Sequence, residues 1–203
     1  MNAIACQREC LSEAARRRIL SAKGEPRFYA DWLRAVFIHY EVDAEYLQRA
    51  VPFELDLDEG RAYVSLVAFT MRGMRPRIGG KVGALLLKPI AGHGFLNVRA
   101  YVRHRGETGI YFLAEWLSNP VSVMLGPRCF GLPYRLGHLE YEHRHETGLL
   151  RGNVIDGKNG ADGTNIAPRL EYSAKINPVS AFEPCAAGSC AEFLMERYTA
   201  FTE

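Results

Sequence analysis

Seven consecutive residues, Asn97-Val98-Arg99-Ala100-Tyr101-Val102-Arg103, alternate polar and apolar side chains. In an extended strand successive side chains point to opposite faces. Asn97, Arg99, Tyr101 and Arg103 therefore share one face, and Val98, Ala100 and Val102 the other. Two arrangements satisfy this pattern. With the valine face in the core, the polar row is solvated. With the polar row turned into a barrel, Arg99 becomes a fixed cation whose forked donors suit a carboxylate. A second candidate set follows Gly131-Leu132-Pro133, a turn sequence that delivers Tyr134 and Arg135 at the start of a strand, or equally a structural turn followed by a surface arginine. Asn97, Arg99, Tyr101, Tyr134 and Arg135 together are a set that can hold an anion or polarise a carbonyl oxygen. Tyr134 is then a catalytic general acid or base whose pKa is lowered by Arg135.

Other chemistry-bearing residues point less directly to a site. His39 lies in an apolar strand and reads first as a hydrogen-bonded core histidine and second as a ligand-binding residue. His143 and His145 have the spacing of one strand face beside Glu142, Arg144 and Glu146. Lacking a third ligand, they read as a solvated edge strand, so no metal is expected. The sequence has no GxGxxG, P-loop, GxSxG or HExxH pattern, so no cofactor is expected either. Five cysteines without CxxC spacing are expected to be free thiols.

The elements that must position these residues are mostly strands. Ala35 to Val42, Glu54 to Asp58, Ala62 to Met71, Leu96 to Arg103, Ile110 to Leu117, Leu139 to His145, Leu149 to Ile155 and Leu170 to Ile176 read as strands, several joined by Gly-containing hairpin turns. Short helices are predicted after Asp43, after Asn119-Pro120 and after the capping box that begins at Ser189. Arg72 to Gly94 reads as a partly irregular connection, and no strand–helix alternation of the parallel kind is evident. Residues 1–26 form an N-terminal appendage with a short helix, and 27–203 one mainly β (α+β) domain, an antiparallel barrel with a few helices. The formal net charge of +2 gives no reason to expect nucleic acid or a membrane surface as partner. The longest apolar candidate, Gly83 to Ile90, is interrupted by Lys88 and Pro89, and the N-terminus lacks a signal-peptide core, so a cytoplasmic location is expected.

Asn97-Val98-Arg99-Ala100-Tyr101-Val102, Gly109-Ile110-Tyr111-Phe112 and Gly131-Leu132-Pro133-Tyr134-Arg135, in this order, resemble the uncharacterised YqjF-like family. His39-Tyr40, Pro52, Gly60 and Glu196-Arg197-Tyr198 fit the same pattern. The resemblance covers roughly residues 30 to 202 and implies the acetoacetate decarboxylase-like barrel, with further strands beyond Glu203. It also exposes a departure. Acetoacetate decarboxylases carry Gly-x-Pro-Lys-Lys, in which the first lysine forms a Schiff base and its neighbour helps lower its pKa. Here Tyr134 and Arg135 stand in those places, and neither a phenol nor a guanidinium forms an imine with a ketone. A glutamate often found before the Asn-Val-Arg run is replaced by Phe95.

The reading that results is a barrel that binds a small anionic or carbonyl compound and is not a Schiff-base decarboxylase. Its rivals are a lyase- or hydrolase-like enzyme using Tyr134, Arg135 and Arg99, and a structural module whose barrel is filled by its own side chains. Homo-oligomerisation is left open. Borohydride added with acetoacetate is expected to leave the chain's mass unchanged. A reduced adduct mapped to any of its five lysines would show that imine chemistry survives at another position.

Overall fold

The computed structural model describes residues 27–157, 169–178 and 185–202. The helix expected within residues 1–26 and most of the Asp156–Pro168 loop lie outside the described residues. The strands are β1 (Phe28–Val42), β2 (Glu54–Leu55), β3 (Ala62–Pro76), β4 (His93–His104), β5 (Glu107–Leu117), β6 (Tyr134–Arg144), β7 (Leu149–Asp156), β8 (Arg169–Lys175) and β9 (Ala200–Phe201). The helices are α1 (Ala44–Ala50), α2 (Gly80–Leu86), a 3-10 turn at Lys88–Ile90, α3 (Pro120–Phe130) and α4 (Cys190–Met195). No described helix is long and apolar enough to cross a membrane.

The strands hydrogen-bond in the order β1-β3-β4-β5-β6-β7-β8, with β2 on β4 and β9 on β5, and the sheet curls into a half-barrel. It is mixed rather than purely antiparallel. Residues Glu115–Leu117 of β5 pair in parallel with Tyr134–Leu136 of β6, and β9 also runs parallel to β5. The cause is α3. A parallel pair needs a crossover, and the eleven-residue helix between β5 and β6 supplies one, so the strand–helix–strand spacing was present in the sequence after all. Asn119 starts that helix by accepting from the Val121 and Ser122 amides. Gly131, at φ 66°, ends it in a conformation that costs a side chain-bearing residue more.

Two further expectations change. The Arg72–Gly94 connection is more ordered than its composition implies, because β3 runs on to Pro76 and α2 and the 3-10 turn follow. The Glu54–Asp58 strand shortens to two residues, since its partner β4 is paired with β3 from His93 to Ala100 and offers β2 only Val102 and Arg103.

Both faces of the half-barrel are covered. On the convex face, α1 and neighbouring strands bury Ala62, Ala100 and Val102 against Leu47 and Val51. Further along, β6, β7 and β8 fold back so that Val154, Leu139 and Leu170 pack on Ala68 and Leu96. His143 belongs to this layer. It is not a solvated edge residue but 4% exposed, bonded to the Arg34 carbonyl at 2.7 Å and to the Tyr172 hydroxyl at 2.6 Å. That carbonyl is turned toward it by an irregularity in β1, where Arg34 has φ 55°. His145, expected on the same face, is exposed, and no group of three metal-type ligands occurs among the described residues.

The C-terminal segment is tied to the sheet by Asp56. Its buried carboxylate takes Arg103 at 2.7 Å and Arg197 at 2.7 Å, and the Arg197 side chain is only 7% exposed. Removing one partner of such a pair leaves an uncompensated buried charge. Asp56→Ala should therefore lower folding stability by roughly 3–5 kcal/mol in urea denaturation. Arg103→Ala, which removes a half-exposed partner, should cost about 1 kcal/mol or less. Equal losses for the two would show that Arg197 does not depend on Asp56.

Candidate functional site

The polar row of β4 faces the concave side of the half-barrel. Asn97 is 3% exposed, Arg99 5% and Tyr101 1%. On the valine face of the same strand Ala100 and Val102 are buried beside α1, and Val98 is half-buried. Arg103, at the end of the row, emerges and turns to Asp56. Register continues the row across the sheet. Ser65 lies opposite Arg99, Val67 opposite Asn97 and Phe69 opposite Phe95, while His39 lies opposite Ser65.

Arg99 is held by a main-chain oxygen rather than by a carboxylate. Its Nη2 donates to the Leu194 carbonyl at 3.0 Å, and its guanidinium lies over the Phe37 ring at 5.1 Å. Tyr101 donates its hydroxyl proton to the same carbonyl at 3.0 Å. The Ser65 hydroxyl lies 2.5 Å from the Tyr101 oxygen and 2.6 Å from Nδ1 of His39. Proton counting gives this chain a direction. With the Tyr101 proton given to Leu194, Ser65 must donate to Tyr101, and His39 must donate from Nδ1 to Ser65. His39 therefore cannot serve as the base that activates Ser65, although the pair has the composition of a nucleophilic dyad. Burial and the Arg99 charge lower the His39 pKa and keep the ring neutral.

Tyr134 and Arg135 separate. Tyr134, paired in register with Glu115, packs its ring edge-on against Phe95 on the concave face. Arg135, one residue on, points to the opposite face, exposed and 5.3 Å above the Trp116 ring. Alternation along a strand forbids the two from sharing a site, so the role given to Arg135 is withdrawn. With it goes the lowered Tyr134 pKa. Burial, and then the Glu115 charge, push that pKa well above its usual value, so Tyr134 acts as a hydrogen-bond donor and not as a base.

Glu115 is the acid–base group of this face, which the sequence offers only as one possible partner for an inward Arg99. Strict alternation from Ile110 and Phe112 sends Glu115 to the convex face. Instead, Val98 pairs with Ala114 and Arg99 with Phe112, so Leu113 is an extra residue on β5. This bulge reverses the parity and turns Glu115 inward beside Asn97. The clue was a single charge in the apolar run Ile110–Leu117, because such charges are rarely buried without a reason. Glu115 is 2% exposed, and burial raises its pKa to about 8.

Along this concave face, five buried side-chain atoms have no hydrogen-bond partner in the protein: both ring nitrogens of His93, Oδ1 of Asn97, Nε of Arg99 and Oε2 of Glu115. Among the described residues the one other such atom is Nε1 of Trp116, on the convex side. Native proteins pair nearly all buried polar atoms, and these five exceptions lie together on one face. Next to them, between Met71, Phe95, α3 and Tyr134, lies an apolar cavity of about 220 Å³. The described lysines, Lys81, Lys88 and Lys175, are all exposed and none joins this face.

Residues 29–203 match the family model DUF2071, described as an uncharacterised conserved protein, and the chain belongs to that family. It is 28% identical over 173 residues to the uncharacterised protein YqjF of Bacillus subtilis, covering 84% of this chain and 65% of that one. Among solved structures it is similar to the enduracididine biosynthesis enzyme MppR. The MppR form with bound HEPES gives a TM-score of 0.53 at 17% identity, covering 76% of this chain and 56% of the other. The MppR complex with pyruvate gives 0.52 at 18%, covering 77% and 60%. Acetoacetate decarboxylase from Legionella pneumophila gives 0.48 at 18%, covering 68% and 51%. At these identities the likeness shows the fold alone, and the chain spans roughly three-fifths of the length of these relatives.

Glu115 and His93 act on stability in opposite directions, over windows that overlap between pH 4.5 and 6.5. The unfolded chain ionises Glu115 near pH 4.5 while the folded chain keeps the proton to about 8, so stability falls as pH rises between those values. Burial lowers the His93 pKa from 6.5 to about 4, so stability falls as pH drops from 6.5 toward 4. Thermal denaturation across this range should show Glu115→Gln losing the decline on the alkaline side while the acid-side decline is retained. An unchanged alkaline slope in that variant would mean that Glu115 does not hold its proton in the folded state.

Proposed function

We propose that this DUF2071 chain binds a small carbonyl compound or carboxylate against the concave face of its half-barrel, with Glu115, Asn97 and Tyr134 as the groups that meet the ligand. The observation that carries this is the set of unpartnered buried atoms on that face, foremost Oε2 of Glu115, a carboxyl that can donate while it keeps its proton. A protonated Glu115 and the phenol of Tyr134 are both neutral donors, and two donors converging on one oxygen suit a carbonyl. The buried Arg99 charge lies two residues from Asn97 on the same face, which favours negative charge developing on the ligand. Arg99 itself remains bonded to Leu194, so it acts as a fixed cation at the end of the site rather than as a clamp that closes on the ligand.

If the site performs chemistry, Glu115 is the group equipped for it. A carboxyl with a pKa of about 8 can give a proton to a ligand oxygen or carbon and recover it from water near neutral pH. No described lysine lies on this face, so this reading uses no imine.

The filled-barrel reading is favoured at the other end of the face. There Leu194 and Phe193 of α4 cover Arg99 and Tyr101 with the protein's own atoms. Ligand contact is therefore assigned to the Asn97–Glu115–Tyr134 end.

Calorimetry with pyruvate, the compound held in one MppR structure, tests the assignment. The unmodified chain and Arg135→Ala should bind alike, while Glu115→Gln should bind roughly tenfold more weakly, a loss of about 1.4 kcal/mol. Equal binding by Glu115→Gln, or loss of binding in Arg135→Ala, would move the site off the concave face.

A further inference from the structure

The apolar cavity beside Tyr134 has features that a site for a small charged ligand does not need. Its wall is formed by Met71 and Met74 from β3, Phe95 from β4, and Leu125 and Phe130 from α3. No side chain lining it carries a formal charge. Its volume of about 220 Å³ exceeds the roughly 150 Å³ at which an apolar cavity in another protein takes up benzene. Pyruvate alone would leave this space unused.

Three lining residues, His93, Ser122 and Tyr134, carry polar groups, and of these His93 is the one with buried side-chain atoms that lack a partner. His93 is 8% exposed, stacks on Phe95 at 4.6 Å between ring centres, and has neither ring nitrogen hydrogen-bonded. Burial keeps this ring neutral, so it offers one N–H donor and one lone-pair acceptor. A hydroxyl, which both donates and accepts, satisfies either nitrogen. A carboxylate or ammonium entering here would be stripped of water and meet no opposite charge.

The cavity is continuous with the polar row through two shared residues. The Tyr134 ring lines it and lies opposite Glu115 in register, and Phe95 lines it two residues from Asn97 on the same face. Gly126 fixes the relation. A Cβ there would meet the Tyr134 ring at 2.0 Å, so only glycine lets the ring lie against α3 and form the wall between the two regions.

We propose that this cavity binds a neutral, hydroxyl-bearing ring, the arm of the carbonyl compound whose head meets Glu115 and Asn97. The placement of the head rests on the function proposed above, and the placement of the arm rests on the cavity and His93. The ligand class is then an aromatic carbonyl compound with a phenolic or alcoholic hydroxyl, rather than a short-chain keto acid.

Four probes separate the parts: p-cresol and toluene for the arm, pyruvate for the head, and phenylpyruvate for both. Binding is followed by calorimetry and by ligand-observed NMR. In the unmodified chain, p-cresol should bind at least fivefold more tightly than toluene, and phenylpyruvate more tightly than pyruvate. His93→Leu should abolish the preference for p-cresol while toluene still binds. Leu125→Trp, which fills the cavity from a partly exposed position, should abolish toluene and p-cresol binding and leave pyruvate binding unchanged. Absence of binding by both cresol and toluene, or a cresol preference that survives His93→Leu, would overturn the assignment of the arm. Cresol binding without any binding of pyruvate or phenylpyruvate would overturn the placement of the head and leave the cavity site standing.

Discussion

A cation buried on a concave sheet face needs an acceptor, and here a main-chain carbonyl provides it. Arg99 is 5% exposed and gives its Nη2 proton to Leu194 of α4, across 95 residues of sequence. An unpaired guanidinium in that position would cost several kcal/mol. The helix that carries Leu194 must therefore lie over the sheet, and it is held there by Arg197 in the buried carboxylate of Asp56. Asp56 in turn is fixed by Arg103 from the same strand as Arg99. The polar row and the C-terminal segment thus hold each other. Tyr101, Ser65 and His39 continue the arrangement by hydrogen bonds whose direction is set by that one carbonyl, which accepts and cannot donate.

The same arrangement divides the concave face. Under α4 the polar groups are satisfied or covered by protein, and the chain from His39 to Leu194 is a structural network. Beyond it, toward Asn97, Glu115 and His93, buried polar atoms have no partner, and an apolar cavity opens beside them. A bulge of one residue in β5 creates this second region by turning a carboxyl inward, where the absence of water raises its pKa toward neutrality. On this face the buried group that keeps a proton near neutral pH is therefore a carboxylic acid. Fold likeness at 17–18% identity carries the architecture, and the chemistry has to be read from these side chains.

Much of the architecture was legible in the sequence because its signals are local. Alternation marked the strands, and Asp43, Asn119 and Ser189 marked the helix starts. The alternation of Asn97, Arg99 and Tyr101 correctly put them on one face. Tertiary structure alone decided which face is concave, because both sides of β4 are buried and a period of two is blind to which neighbour covers which side. It also decided the parity at Glu115, since a bulge is a property of the pairing with β4 and leaves no mark in β5 itself. Arg135 left the site for the converse reason: two adjacent residues in a strand cannot face the same way. The partners of Arg99, His143 and Asp56 come from segments 29 to 141 residues away, and no spacing rule reaches that far.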